Sequence, residues 1–280
     1  MYFLNINKPK GISSFDVIRE LRKRLKIKQI GHSGTLDPLA SGVLQIAVGK
    51  ATKLLDFLPS DKTYIAELEF GYVTETFDSE KDKIFVKNPD FNKDDLIKCL
   101  NSFLGKTQQI PPKYSAIKVD GVKLCDLARF KQDIDIEIKP REIEIYSIEL
   151  LEFNGTIAKI EVSCKKGTYI RSLVNDIGLK LGCGAYMKEL IRTQAGNFNV
   201  SKSNNLNDDK YNEISPLEAL DLEQYQLNDE EYEKIKNGNF INIASNLNTQ
   251  IVLLTKNNKL VSIAKIEDNQ IKPKKFFGEV

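Results

Sequence analysis

Asp37 sits in a segment whose residue types suit it to chemistry: Gly31-His32-Ser33-Gly34-Thr35-Leu36-Asp37-Pro38-Leu39-Ala40-Ser41-Gly42. Pro38 drives the Asp37 backbone away from the helical region. Gly31 and Gly34 let a ligand approach the main chain, and His32, the chain's one histidine, lies five residues upstream. A carboxylate on such a loop serves as nucleophile or general base. An isolated Asp-Pro pair is more simply a turn that bonds its own backbone, and the residue types alone do not name a substrate.

Several other chemistries lack their groups. The glycines of residues 31–50 make no phosphate loop, since Leu44 and Ala51 stand where Gly and Ser or Thr are required, and G-x-G-x-x-G is absent. Cys99, Cys125, Cys164 and Cys183 are 26, 39 and 19 residues apart, which suits neither a zinc cage nor a redox dithiol. One imidazole cannot build a multi-histidine metal centre. No metal and no cofactor are therefore expected.

The loop must be positioned by neighbouring elements. Ser13 and Asp16 have capping-box form, and Phe15, Ile18, Leu21 and Leu25 follow at helical spacing. This predicts an amphipathic helix whose outer face carries Arg19, Arg22, Lys23 and Lys26. Residues 31–42 read as loop and 43–48 as a short buried strand. Tyr64, Ala66, Leu68 and Phe70 alternate with Ile65, Glu67 and Glu69, the period of a strand. Asn92 caps a second helix, and Pro111-Pro112 breaks the chain before a basic stretch. Two strands, around 142–153 and 156–164, flank an Asn154-Gly155 turn, and 169–181 reads as helix. Beyond about residue 225, strand-like runs at 251–255 and 260–266 suit a small β-barrel.

The chain has 280 residues, enough for one large domain or two unequal ones at ~150 residues each. Its 41 % hydrophobic and 29 % charged residues are ordinary globular composition and exclude wholesale disorder. No apolar run approaches the ~18 residues of a membrane span, and the start lacks a secretory segment, so a cytoplasmic protein is expected. A net charge of +2 conceals polarity: residues 8–28 hold eight basic residues against two acids, and residues 201–240 hold four lysines against ten acids. Such a basic cluster is either a solvated helix face or a site for a polyanion.

Residues 31–44 resemble the signature G-H-x-G-x-L-D-P-x-A-x-G-x-L of the TruB family of tRNA pseudouridine synthases. Further blocks follow in the family's order. Lys8-Pro9-Lys10-Gly11 resembles K-P-x-G, and Asp61-Lys62-x-Tyr64 resembles D-K-x-Y. Ile110 to Lys118 resembles I-P-x-x-Y-S-A-x-K, Lys166 to Arg171 resembles K-G-T-Y-I-R, and Leu181 to Ala185 with Leu190-x-Arg192-Thr193 are similar to the last blocks.

The resemblance implies an α/β (α+β) pseudouridine synthase fold with a mixed, mainly antiparallel central sheet flanked by helices, and a small C-terminal β-barrel-like (PUA-like) domain. Residues 1–225 would be the catalytic domain, with an RNA-clasping insert at about 107–132, and 226–280 the short PUA-like domain. The activity implied is conversion of the T-loop uridine at tRNA position 55 to pseudouridine after base flipping, with help to tRNA folding as a second role. No cofactor or metal takes part. By the same resemblance Asp37 is the nucleophile, Arg171 pairs with it and lowers its pKa, Tyr64 stacks on the uracil, and Tyr169 packs beside the site. His32 wedges into the vacated base stack, and Gly34, Leu190 and Arg192 support the pocket. Lys8, Arg19, Arg22, Lys23, Lys26, Lys113 and Lys118 become candidate RNA contacts. The implied partner is tRNA, through its T-arm stem-loop, with no membrane and a monomeric protein. A non-catalytic RNA-binding module and a nucleoside hydrolase are the alternatives.

Overall fold

The computed structural model describes residues 1–115, 118–119, 122–123, 138–243 and 249–278. The side chains of Lys118 and Lys123, Gly121 and half of the expected insert at 107–132 lie outside the described residues.

Strand β1 (Tyr2–Lys8) leads into helix α1 (Ser14–Leu25). The Ser13 side chain accepts from the Asp16 amide, and the Asp16 carboxylate accepts from the Ser13 amide at 2.9 Å, closing the expected capping box. The helix buries Ser14, Val17, Ile18 and Leu21. Phe15, expected on that stripe, is 60 % exposed, with the Arg22 guanidinium 5.9 Å from its ring centroid. Successive residues turn about 100° around the axis, so a face centred on Ser14, Val17, Ile18 and Leu21 carries Phe15 outward.

β2 (Ile30–His32) pairs antiparallel with β3 (Ser41–Val48), so Gly31 and His32 belong to a strand rather than to the loop expected there. β4 (Lys62–Phe70) buries Tyr64, Ala66, Leu68 and Phe70, as the alternation predicts. Then come α2 (Lys93–Asn101) with an Asn92 capping box, β5 (Gly105–Gln109), β6 (Arg141–Phe153), β7 (Ile157–Cys164), α3 (Ile170–Lys180) and β8 (Ala185–Ala195). The strands order as β1-β3-β8-β4-β7-β6-β5. Every neighbouring pair along this path is antiparallel except β3 with β8. Gly42 makes that junction possible: at φ +104°, its Cβ would lie 2.2 Å from the Arg192 carbonyl oxygen.

After α4 (Pro216–Leu220), a second sheet forms from β9 (Gln224–Gln226), β10 (Ile241–Asn242), β11 (Ile251–Lys256), β12 (Lys259–Glu267) and β13 (Gln270–Phe276), in the order β9-β11-β12-β13-β10. Helix α5 (Asp229–Lys236) packs on it. Leu253, Leu260, Ile263 and Phe277 from this part share one apolar core with Phe3, Val43, Leu54 and Ala219. Among the described residues, no helix is long and apolar enough to cross a membrane.

Candidate active site

The segment carrying Asp37 is pinned from three directions. Ser14 Oγ, at the start of α1, donates to the Leu36 carbonyl at 2.9 Å and accepts from the Leu36 amide at 2.8 Å. The Gly11 amide donates to the Pro38 carbonyl at 2.8 Å. On the opposite side, Arg192 donates through Nε to the Val43 carbonyl at 2.7 Å and through Nη2 to the Gly34 carbonyl at 3.2 Å. Lys8 Nζ donates to the carbonyls of Pro9 at 2.9 Å, Ile12 at 2.7 Å and Pro38 at 3.4 Å. Lys8 is fully buried, so the structure corrects its expected place among the RNA contacts. Its ammonium braces the loop, because three carbonyls converge where no solvent reaches.

Arg171, on the first turn of α3, reaches Asp37 Oδ2 through Nε at 2.9 Å. Its Nη2 donates to the Tyr114 carbonyl at 2.9 Å, and its Nη1 donates to the Thr76 carbonyl at 3.2 Å and stands 3.4 Å from Asp78 Oδ2. Arg171 is only 4 % exposed and cannot swing away. Asp78 is 1 % exposed and accepts from Thr76 Oγ1 at 2.5 Å and from the Glu80 amide at 3.0 Å. Sequence reading did not single out Asp78. A turn at residues 74–78 brings it in, and no motif marks that turn.

Asp37 lines a cleft of about 270 Å3 with Tyr64, Tyr169, Ile170, Arg171, Leu190 and Lys62. Partial burial at the cleft floor, where the Asp37 side chain is 34 % exposed, pushes its carboxyl above the ordinary value; Arg171 pulls it back and Asp78 pushes it further up. Arg171 lowers the Asp37 pKa as expected, but burial outweighs it and the net direction is upward. Two acids share one guanidinium, so Arg171 does not neutralise Asp37 alone. Burial likewise raises the Tyr64 and Tyr169 hydroxyls, so both phenols are neutral. Gln109 is buried; its Nε2 donates to the Tyr169 carbonyl at 3.1 Å and its Oε1 accepts from the Tyr169 amide at 2.9 Å. This clamp fixes the chain just before Arg171, and sequence reading did not single it out.

The remaining expected residues lie farther out. His32 is half-buried on β2, its Nδ1 lacks a partner, and burial together with Arg192 lowers its pKa. It is a neutral imidazole and does not line the cleft. Arg19 is exposed and paired with Asp16 at 2.7 Å. Arg22 donates to the Ile30 carbonyl at 3.2 Å, and Lys23, Lys26 and Lys113 are exposed. Among the described residues, no group of His, Cys, Asp and Glu is placed to hold a metal ion.

Two family models match the chain. "TruB family pseudouridylate synthase (N terminal domain)" covers residues 22–170, and "tRNA pseudouridylate synthase B C-terminal domain" covers 171–228. The tRNA pseudouridine synthase B of Clostridium kluyveri is 43 % identical over 286 residues, spanning 98 % of each chain. That of Fusobacterium nucleatum subsp. nucleatum is 44 % identical over 276 residues, spanning 95 % of this chain and 96 % of the relative. Among solved structures, a chain of a Cbf5-Nop10-Gar1 complex superposes with a TM-score of 0.74 at 25 % identity, over 98 % of this chain and 84 % of the other.

Proposed function

Because the chain belongs to the TruB family of tRNA pseudouridine synthases, we propose that it isomerises the uridine at position 55 of the tRNA T-loop, with Asp37 as nucleophile. The observation that carries this reading is the setting of Asp37. It is the one carboxylate among the described residues lining the cleft, and Arg171 grips it through Nε.

In this reading the target base leaves its stack, at a cost of a few kcal/mol, and His32 fills the gap as a neutral ring. The uracil enters the cleft against Tyr64, with Leu190 and Tyr169 alongside. Asp37 attacks, the N1–C1′ bond breaks, and the freed uracil turns. C5 then bonds to C1′ as C1′ releases the Asp37 carboxylate, and the C5 proton leaves beside Tyr64 while N1 takes up a proton. Arg171 keeps Asp37 aimed, since its other donors are committed to fixed carbonyls and Asp78. Atoms balance without oxidant, metal or net water. Residues 1–225 act as the catalytic part, residues 226–280 as an RNA-facing β part, and one protomer suffices.

A binding module has no use for a carboxylate turned toward RNA. A hydrolase needs a second acid in the cleft, and Asp78 is sealed behind Arg171. Purified protein incubated with an unmodified T-arm stem-loop should yield pseudouridine and no free uracil, at a rate unchanged by exhaustive chelation. Free uracil, or binding without isomerisation, would overturn the reading.

A further inference from the structure

Asp61-Lys62-Thr63-Tyr64 crosses into β4, and in the proposed chemistry only Tyr64 has a part. Lys62 precedes Tyr64 by two residues, projects from the same face of the strand and lines the same cleft. Its ammonium fills the space beside Gly34. A Cβ there would lie 3.0 Å from Lys62 Nζ and 4.0 Å from Arg192 Nη1. The buried Arg192 guanidinium is engaged by the Val43 and Gly34 carbonyls and by the Tyr64 phenol. The Lys62 ammonium makes no hydrogen bond or ion pair among the described residues.

The stronger charges facing Lys62 are of its own sign. Arg192 comes from β8 and Lys166 from the turn after β7; Cys164 and Asp61 act in the other direction, more weakly. Asp61 is exposed and accepts from the Tyr146 hydroxyl at 3.2 Å. Burial and the two cations bring the Lys62 amine down to about 8. Cations gathered in a partly dry site are held at a cost unless an anion joins them.

We propose that the Lys62 ammonium, on the cleft lining together with Lys166, forms a phosphate subsite that takes a phosphodiester group flanking the extruded uridine. A uracil carbonyl is neutral and would leave the charge unmatched. A phosphodiester brings one full charge and two non-bridging oxygens to two donors. The inference rests on the cleft being the uridine site, so its test keeps the two apart.

T-arm stem-loops are made with a neutral methylphosphonate at either linkage flanking the target. Lys62→Met should flatten the log–log salt dependence of Kd by about 0.7–0.9, so its Kd relative to wild type grows about sixfold from ~1 M to ~0.1 M salt. One of the two neutral linkages should do the same to the wild-type protein, and combining it with Lys62→Met should add no further loss. Lys62→Arg should remove the fall in affinity that wild type shows as pH rises through about 8. Unchanged salt dependence for Lys62→Met and for both neutral linkages, in protein that still makes pseudouridine, overturns the subsite. So does full additivity of the two losses. If Lys62→Met does not fold, the wild-type protein on the neutral linkages decides. Absence of pseudouridine with wild type would strike the functional reading instead, while the linkage comparison still tests the subsite.

Discussion

At the scale of residues, the site is a carboxylate–guanidinium–carboxylate row in which Asp37 is the carboxylate that meets the cleft. A nucleophile must be ionised, and burial raises the Asp37 pKa. We predict that single-turnover activity is lost on acidification at a higher pH than an ordinary aspartate, ~3.9, would give. Asp78 pushes Asp37 the same way, so Asp78→Asn should move that acid limb to lower pH; an unmoved limb in a pH–rate profile would contradict the coupling. The sign for stability also follows. A carboxyl whose folded pKa exceeds its unfolded value binds its proton better when folded, so stability falls as pH rises between the two values. Asp37→Asn should therefore melt no lower than wild type at neutral pH, with any advantage shrinking as pH falls through the folded pKa and gone below the unfolded one. A clear drop in Tm at neutral pH would show that the Arg171 pair outweighs burial.

Secondary-structure elements decide whether those residues meet, and the crossing of β3 and β8 is the tightest point. Gly42→Ala would put a methyl into the Arg192 carbonyl at a left-handed φ, so we predict a loss of about 2–5 kcal/mol, measured by denaturant unfolding. A loss under about 1 kcal/mol would mean the two strands can part. The sequence made α1, α2, β4 and the β6–β7 hairpin legible through capping boxes, period-two alternation and an Asn-Gly turn. It hid β8, although β8 lies between β3 and β4 in the sheet. Register shifts at Met187/Glu189 and Arg192/Gln194 break the alternation, and Lys188, Glu189 and Arg192 interrupt the apolar pattern. For the site, Asp37, Tyr64 and Arg171 were legible because each stands in a dense local motif. Asp78, Gln109 and the buried role of Lys8 were not, since each depends on contacts made across the fold.

For the whole molecule, the shared core ties the C-terminal sheet to β1 and β3. Leu253→Ala should cost about 2–5 kcal/mol and lower a single unfolding transition, because its cavity opens in that shared core. Two separate calorimetric transitions would show that the parts unfold independently. The exposed cations of α1 lie outside the cleft, so grip and chemistry should separate. Replacing Arg22, Lys23 and Lys26 by Ala should weaken tRNA binding, flattening the salt slope by about 0.7–0.9 for each phosphate no longer neutralised, while the single-turnover rate at saturating tRNA stays near normal. Unchanged affinity and slope would make that face a solvated helix surface. Asp37→Asn should show the reverse, and it tests the central claim most directly. Single-turnover pseudouridine formation and tRNA affinity are measured together on the purified variant. The account predicts no product, with Kd within about threefold of wild type, a difference of ~0.65 kcal/mol. Measurable turnover by Asp37→Asn protein would contradict it.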